Sequence, residues 1–415
     1  MTKVTVMWGT KKLEVECHAD KPVGDFMLTL QKLTGVPVER QKLMMRRKQL
    51  KPTDAFEANS IKASTKFMLI GTAELPPEPV EVVESDDDKT LEEDENEGFT
   101  EAQKKKIFQG LPNHANNCYL NATLQSLRAL PQCEQMIETA VVPATTVDGQ
   151  VEQAIATLFR DFPNSFTTAF AALKKANPTL FAAVDEQGIP KQQDASESFF
   201  YILNCLINAL GEPFRRLFNI DMHISSKCAE TGKTKESDES TINIPVYVNQ
   251  DTRQIEQGIV LDQDSELKDE ELGRNVLWHD HKTISSLPQY LVFHIQRFEF
   301  KKDENITAKI LRRIIHPFRI DMLPWLSNDL RSKVANDRES GNSNSGFYTL
   351  KVVLTHRGRS ASSGHYITHC KYGDTWIRYD DTKATDIEDT DVEALSGSGD
   401  WHCSLLLIYE KMSQE

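Results

Sequence analysis

Cysteine is scarce in this chain: seven among 415 residues, at positions 17, 118, 133, 205, 228, 370 and 403, with no C-x-x-C pair. An odd, scattered set argues against a disulfide framework and a four-thiolate zinc site, and suits thiols kept reduced. Long apolar runs are missing too. None reaches the ~18 residues of a membrane span, and M-T-K-V-T-V-M-W-G-T lacks the charged-then-apolar pattern of a secretion signal. No membrane partner is expected, and cytoplasmic and nuclear localisation follows. A basic excess is also lacking: the net charge is −14. That balance argues against nucleic acid as a ligand and favours a basic or neutral one.

The charge is unevenly placed. Residues 1–72 carry +6, residues 73–100 carry −11 and the remainder −9. The middle segment is acidic, contains prolines and is short of large apolar residues, so it is expected to be a disordered, self-repelling linker. Three parts result: a small domain over 1–72, the linker over 73–100 and a large domain over 101–415.

In the small domain Val4 and Val6, then Leu13 and Val15, alternate as two strands around Gly9-Thr10-Lys11. Val23, Phe26, Met27, Leu30 and Leu33 keep a helical period that stops at Gly35, and Phe67–Ile70 form a last strand. This order, with V-P-V-E-R-Q-K-L-M-M-R-R-K-Q-L over Val36–Leu50, resembles ubiquitin. The resemblance implies a β-grasp fold with Trp8, Met44 and Ile70 as an exposed apolar patch for a partner; Met44 and Ile70 serve equally well as core. Gly71-Thr72 replaces a di-glycine end, which points to a docking module rather than a conjugated modifier.

The large domain divides by period. Thr123–Leu130, Val151–Phe162, Phe166–Lys175 and Ala195–Leu210 are expected helices. Leu291–His294, Tyr348–Leu354, Tyr366–Cys370, Trp376–Tyr379 and Leu405–Tyr409 are expected strands, with loops at Ser340–Gly346 and Gly358–Gly364. The architecture is α+β, a helical half before a sheet-rich half.

Cys118 follows the polar run Asn113, Asn116 and Asn117 and precedes a helical pattern, in G-L-P-N-H-A-N-N-C-Y-L-N-A-T-L-Q. A thiol at a helix N-terminus meets unpaired N–H groups and the positive end of the dipole, which favour thiolate. A buried, inert cysteine is the plain alternative. A nucleophile needs a base and a group to orient it. His365 opens one strand while Asp380 and Asp381 close the next, so a hairpin places a carboxylate to take the His365 Nδ1–H. His369, Cys370, His402 and Cys403 fit no common zinc spacing.

The Cys118 and His365–Asp381 stretches resemble the cysteine and histidine boxes of the ubiquitin-specific proteases. Q-Q-D-A-S-E-S-F (Gln192–Phe199) and L-P-Q-Y-L-V-F-H-I-Q-R-F (Leu287–Phe298) are similar to intermediate motifs of that family, in the same order. With its ubiquitin-like start and acidic linker, the chain resembles the family's proteasome-associated member. The resemblance implies a papain-like catalytic domain, no cofactor and no metal, since Cys228 stands alone where the family's zinc ribbon would be. It implies Cys118 as nucleophile, His365 as base, Asp380 as its orienting carboxylate and Asn113 as an oxyanion donor. Asp194, Tyr366 and Gly364 would line the channel for ubiquitin's tail; Asp194 can also cap a helix. Ubiquitin conjugates and the proteasome regulatory particle are the implied partners of a chain monomeric when free. Two departures stand out. Ala115 replaces a glycine, with strain if φ is positive there, and Asn117 replaces a threonine. They keep a second reading open, a ubiquitin-binding proteasome adaptor with weak catalysis; a papain-like peptidase of ordinary proteins is a third.

Overall fold

The computed structural model describes residues 2–8, 11–18, 21–34, 36, 38, 41–45, 48–54, 56, 65–70, 100–269, 272–301, 306–360, 363–397 and 401–413. The chain divides into two compact units, Met1–Glu95 and Asn96–Glu415. The expected linker, save Thr100, lies outside the described residues.

In the first unit β1 (Thr2–Trp8), β2 (Lys11–Cys17), α1 (Val23–Thr34), β3 (Lys42–Met45), β4 (Lys48–Leu50) and β5 (Lys66–Ile70) follow in order. The five strands form one sheet, β2-β1-β5-β3-β4, in which the first and last strands pair in parallel. Val4, Val6, Val15, Phe26, Met27, Leu30, Leu43, Phe67 and Leu69 close the core between helix and sheet. This is a β-grasp arrangement. Met44 is half-buried and pairs with Met68, while Lys42 pairs with Ile70. The side chains of Trp8 and Ile70 lie outside the described residues.

The second unit opens with helices α2 (Glu101–Ile107), α3 (Cys118–Arg128), α4 (Pro131–Thr139), α5 (Val147–Arg160), α6 (Phe166–Ala176), α7 (Pro178–Phe181) and α8 (Ala195–Leu210). Strands follow: β6 (Ile220–Cys228), β7 (Thr234–Thr241), β8 (Ile244–Tyr247), β9 (Gln263–Asp269), β10 (Arg274–Ser286), β11 (Tyr290–Gln296), β12 (Phe298–Lys301), β13 (Ile306–Lys309) and β14 (Arg319–Asp321). The last group is β15 (Phe347–Ser360), β16 (Ser363–Tyr372), β17 (Thr375–Asp380), β18 (Lys383–Ile387) and β19 (Cys403–Lys411). The principal sheet runs β18-β17-β16-β15-β19-β11-β8, with β14 on the side of β15.

Both faces of that sheet are covered, which explains its apolar runs. Val352, Leu354, Tyr366 and Tyr379 join the helical core; Leu350, Val353, Trp376 and Tyr409 join a second core behind. Every residue of α3 is buried, polar ones included. Thr123 donates to the Ala195 carbonyl, Ser126 meets Thr368 at 2.9 Å and Gln125 donates to the Gln109 carbonyl. These hydrogen bonds offset the cost of burying the polar groups and tie the helical half to the sheet.

Several expectations shift. The helix expected at Thr123–Leu130 starts at Cys118 and ends at Arg128, because Asn117 supplies the first helical carbonyl, to the N–H groups of Leu120 and Asn121. The loop expected over Gly358–Gly364 is largely strand, as Ser360 pairs with Ser363. A four-stranded sheet, β7-β6-β10-β9, had no apolar signal in its outer strands; T-K-E-S-D-E-S-T in β7 is exposed through Ser240 and half-buried at Thr241, and follows the register of β6. Where the sheet meets Cys228, Trp278 and Val276 are buried against it and Lys235 lies 4.4 Å over the indole.

Candidate active site

Cys118 is the first residue of α3 and is 2 % exposed. The preceding loop is held by its asparagines. Asn117 Oδ1 accepts from the N–H groups of His114 (2.8 Å) and Ala115 (3.3 Å), and its amide donates to the Pro112 carbonyl and to Asn121 Oδ1. Positive φ occurs at Asn116 (52°), not at Ala115. The strain anticipated at Ala115 therefore falls on an asparagine, which tolerates the left-handed region, and its amide donates to the Pro190 carbonyl at 2.9 Å. At the second departure, Asn117 organises the loop that leads into Cys118.

His365 and Asp380 come from neighbouring strands. The β16–β17 register pairs Thr368 with Tyr379; one step further Asp380 faces Ile367, with His365 two residues along the same face. His365 Nε2 meets Asp380 Oδ1 at 2.6 Å. This corrects the expected Nδ1 contact. The carboxylate takes the proton of Nε2, because the diagonal approach from β17 reaches the far edge of the ring. The Cys118 thiol is close enough to the ring to act on its protonation. Asp380, then Cys118, push the His365 pKa up to about 10 against the opposing effect of burial, and His365 holds Asp380 below its ordinary value. The ring is therefore imidazolium at neutral pH. The stability that His365 contributes is complete below its unfolded value of ~6.5 and lost as pH rises through about 10. That of Asp380 is present above ~3.9 and lost as pH falls further.

Asn113 faces the same place from the loop. Its amide nitrogen donates to Asp381 Oδ2 at 2.9 Å, and its oxygen accepts from the Asn117 N–H at 3.2 Å. Asp381, in the left-handed region at φ 53°, takes a second bond from Asn121 on its other oxygen (2.8 Å). One of the two Asn113 amide protons is so engaged, and the Cys118 N–H precedes the helical ladder. Asn121 was missed as part of the site; Asp381 was named beside Asp380 as a candidate carboxylate for His365, whereas its partners are Asn113 and Asn121. Gly110 belongs here as well. A Cβ on it would lie 2.2 Å from the Asp381 carbonyl, which accepts from the Leu111 N–H. His365, Asp380 and Asp381 have ligand atoms within 4.8 Å of one another; His365 Nε2 and Asp380 Oδ1 bond each other, and both Asp381 oxygens accept from asparagine amides.

Asp194 is the N-cap of α8 and accepts from the Ser196 N–H (2.7 Å) and hydroxyl (2.6 Å). Tyr366 is buried; its hydroxyl is pushed up by burial, then by Asp194 and Cys118, which places all three together. Gly364, at φ 131°, sits where a Cβ would lie 2.1 Å from the Arg357 carbonyl. Sequence reasoning thus brought Cys118, His365, Asp380, Asn113, Asp194, Tyr366 and Gly364 to one region. A cavity of about 240 Å³ on the far side of Asp380 is lined by Arg357, His369, Arg378, Trp401 and His402 among others.

Four histidines are buried in the neutral form around the sheet. Burial lowers His316 to about 4, His356 to about 3, His369 to about 4 and His402 to about 2. Their folded values lie below the unfolded one, so the unfolded chain binds protons first as pH falls. Each costs on the order of 1 kcal/mol per pH unit below ~6.5. The thermal midpoint should pass through a maximum at about pH 7, above which the contribution of His365 is progressively lost, and drop steeply between pH 6.5 and 4.5. A midpoint constant over that window, followed by calorimetry, would contradict the buried neutral assignment.

The family model described as ubiquitin carboxyl-terminal hydrolase matches residues 109–409. A ubiquitin carboxyl-terminal hydrolase 6 of Arabidopsis thaliana is 28 % identical, with 99 % of each chain covered. A ubiquitin carboxyl-terminal hydrolase 14 of Caenorhabditis elegans is 28 % identical over 99 % of this chain and 93 % of the relative. The corresponding figures for a ubiquitin carboxyl-terminal hydrolase 6 of Schizosaccharomyces pombe are 26 % identity and 99 % of both chains. Among solved structures, the SAGA Ubp8/Sgf11/Sus1/Sgf73 DUB module bound to ubiquitin aldehyde is similar in fold, with a TM-score of 0.58 and 18 % identity over 75 % of this chain and 71 % of the other.

Proposed function

The chain belongs to the ubiquitin carboxyl-terminal hydrolase family, and on that premise we propose that Cys118, His365 and Asp380 hydrolyse the bond after ubiquitin's terminal glycine. It is a cysteine-dependent deubiquitinase. The observation that carries the residue assignment is the His365 ring held between Asp380 Oδ1 and the Cys118 thiol. Cys118 sulfur attacks the glycine carbonyl, and the imidazolium gives its proton to the departing lysine amine. Water then attacks the thioester, with His365 as base, and returns the thiol. The Cys118 N–H and the free Asn113 amide proton steady the oxyanion. Asp194, Tyr366 and Gly364 line the channel for ubiquitin's basic tail.

The first unit is read as a docking module that tethers the enzyme to the proteasome through Trp8, Met44 and Ile70, raising its local concentration near conjugates. Supporting this are its β-grasp strand order and relatives that match the chain from end to end. The enzyme is taken to be monomeric when free and to work in cytosol and nucleus. Full-length chain and a chain lacking residues 1–95 should differ in co-sedimentation with purified proteasome, the first retained and the second lost. Equal retention would overturn the docking role and leave the hydrolase reading intact.

A further inference from the structure

We propose that His356 is a positioning residue of this hydrolase, locked by Lys309 into the tautomer that pins the peptide before His365. The inference rests on Cys118 and His365 as the reacting pair. Lys309, the last residue of β13, is buried and places its Nζ 3.0 Å from His356 Nδ1 and 2.6 Å from the His356 carbonyl. An ammonium only donates, so Nδ1 must accept and the ring proton must sit on Nε2. Nε2 then donates to the Ser363 carbonyl at 3.3 Å. Charge and burial together keep this ring neutral at any working pH, so the tautomer does not switch.

The consequence is local. His356 lies opposite Tyr366 in the β15–β16 register, and their ring centroids lie 4.4 Å apart with the planes tilted by 39°. Arg357 lies opposite His365. Just beyond, the register breaks between Arg357 and Ser360, in a bulge where Gly358 and Gly364 both take positive φ. A Cβ on Gly364 would lie 2.7 Å from His356 Nε2. The ring therefore holds the chain on both sides of His365, the Ser363 carbonyl by hydrogen bond and the Tyr366 side chain by ring contact. Bulges re-aim side chains, and this one would leave His365 loosely placed without that grip. Lys309 also ties the separate β12–β13 hairpin to the strand that carries this grip.

The test uses the full chain and ubiquitin carrying a C-terminal electrophile, which counts competent sites, with turnover of a ubiquitin C-terminal amide measured per counted site. Wild type must be labelled at Cys118; no labelling there overturns the site assignment and this proposal with it. With labelling, His356→Leu should lose about 10- to 100-fold in kcat per site, more than any rise in KM, and its alkaline limb should move to lower pH. His356→Gln, which can accept from Lys309 and donate to Ser363, should stay within about 5-fold of wild type. Lys309→Met combined with His356→Leu should be no worse than His356→Leu alone. Unchanged kcat per site in His356→Leu, or losses that multiply in the double variant, would mean a purely structural pair and overturn the proposal.

Discussion

Cys118→Ala abolishes hydrolysis of a ubiquitin C-terminal amide, by about 10⁴-fold or more, while binding of ubiquitin itself persists. The size follows from chemistry: without sulfur no thioester forms, and neither His365 nor the oxyanion donors have a reacting atom to serve. Stability should hardly change. Cys118 is buried, but the alanine removes one atom at the start of a helix whose other contacts remain, a cost of about 1 kcal/mol. Turnover and isothermal titration with ubiquitin on the same preparation separate the two effects. Residual turnover above about one per cent of wild type would show that another group attacks the carbonyl.

The second large effect is at Asp380. Asp380→Asn keeps the shape and removes the carboxylate whose hydrogen bond contributes most to raising His365 to about 10. Two losses combine. The ring is free to turn or to exchange tautomers, and its conjugate acid is weaker. A fall in kcat/KM of about 100-fold or more is expected, with the alkaline limb moving down from near 10 toward the ordinary histidine value. The direction of that shift is the diagnostic part. An unchanged alkaline limb, measured between pH 6 and 10.5, would mean that Asp380 does not set the His365 proton. Asp381→Asn is the natural comparison. Asp381 contacts Asn113 and Asn121 rather than the ring, so it should lower kcat while leaving the limb in place.

Much of the site was legible before any fold was known. A thiol after three asparagines, a histidine opening a strand and two aspartates closing the next are local patterns, and local patterns are what a sequence displays. The same holds for α8, whose bounds of Ala195 and Leu210 follow from its stripe of Phe199, Ile202, Leu203, Leu206 and Ile207 above an Asp194 cap. Strands β7 and β9 left no trace because an exposed strand needs no apolar alternation; pairing with β6 and β10 makes them.

What the sequence by itself determined is therefore the candidate reacting groups, the α+β order of their elements and the division at the acidic segment. These depend on residue type and short spacing. The tertiary structure alone decided which ring nitrogen Asp380 meets, that Asn116 rather than Ala115 takes the strained backbone, and that Asp381 joins Asn113 to Asn121. It also set Lys309 against His356. The Asp381 contacts join chain segments far apart in sequence, 260 residues in the case of Asn121, and are made only when α3 docks on the sheet; the Asp380 and Lys309 contacts depend on how their strands lie against β16 and β15. Hydrogen-bond geometry at that range is set by how the strands cross and twist, and no local spacing encodes it.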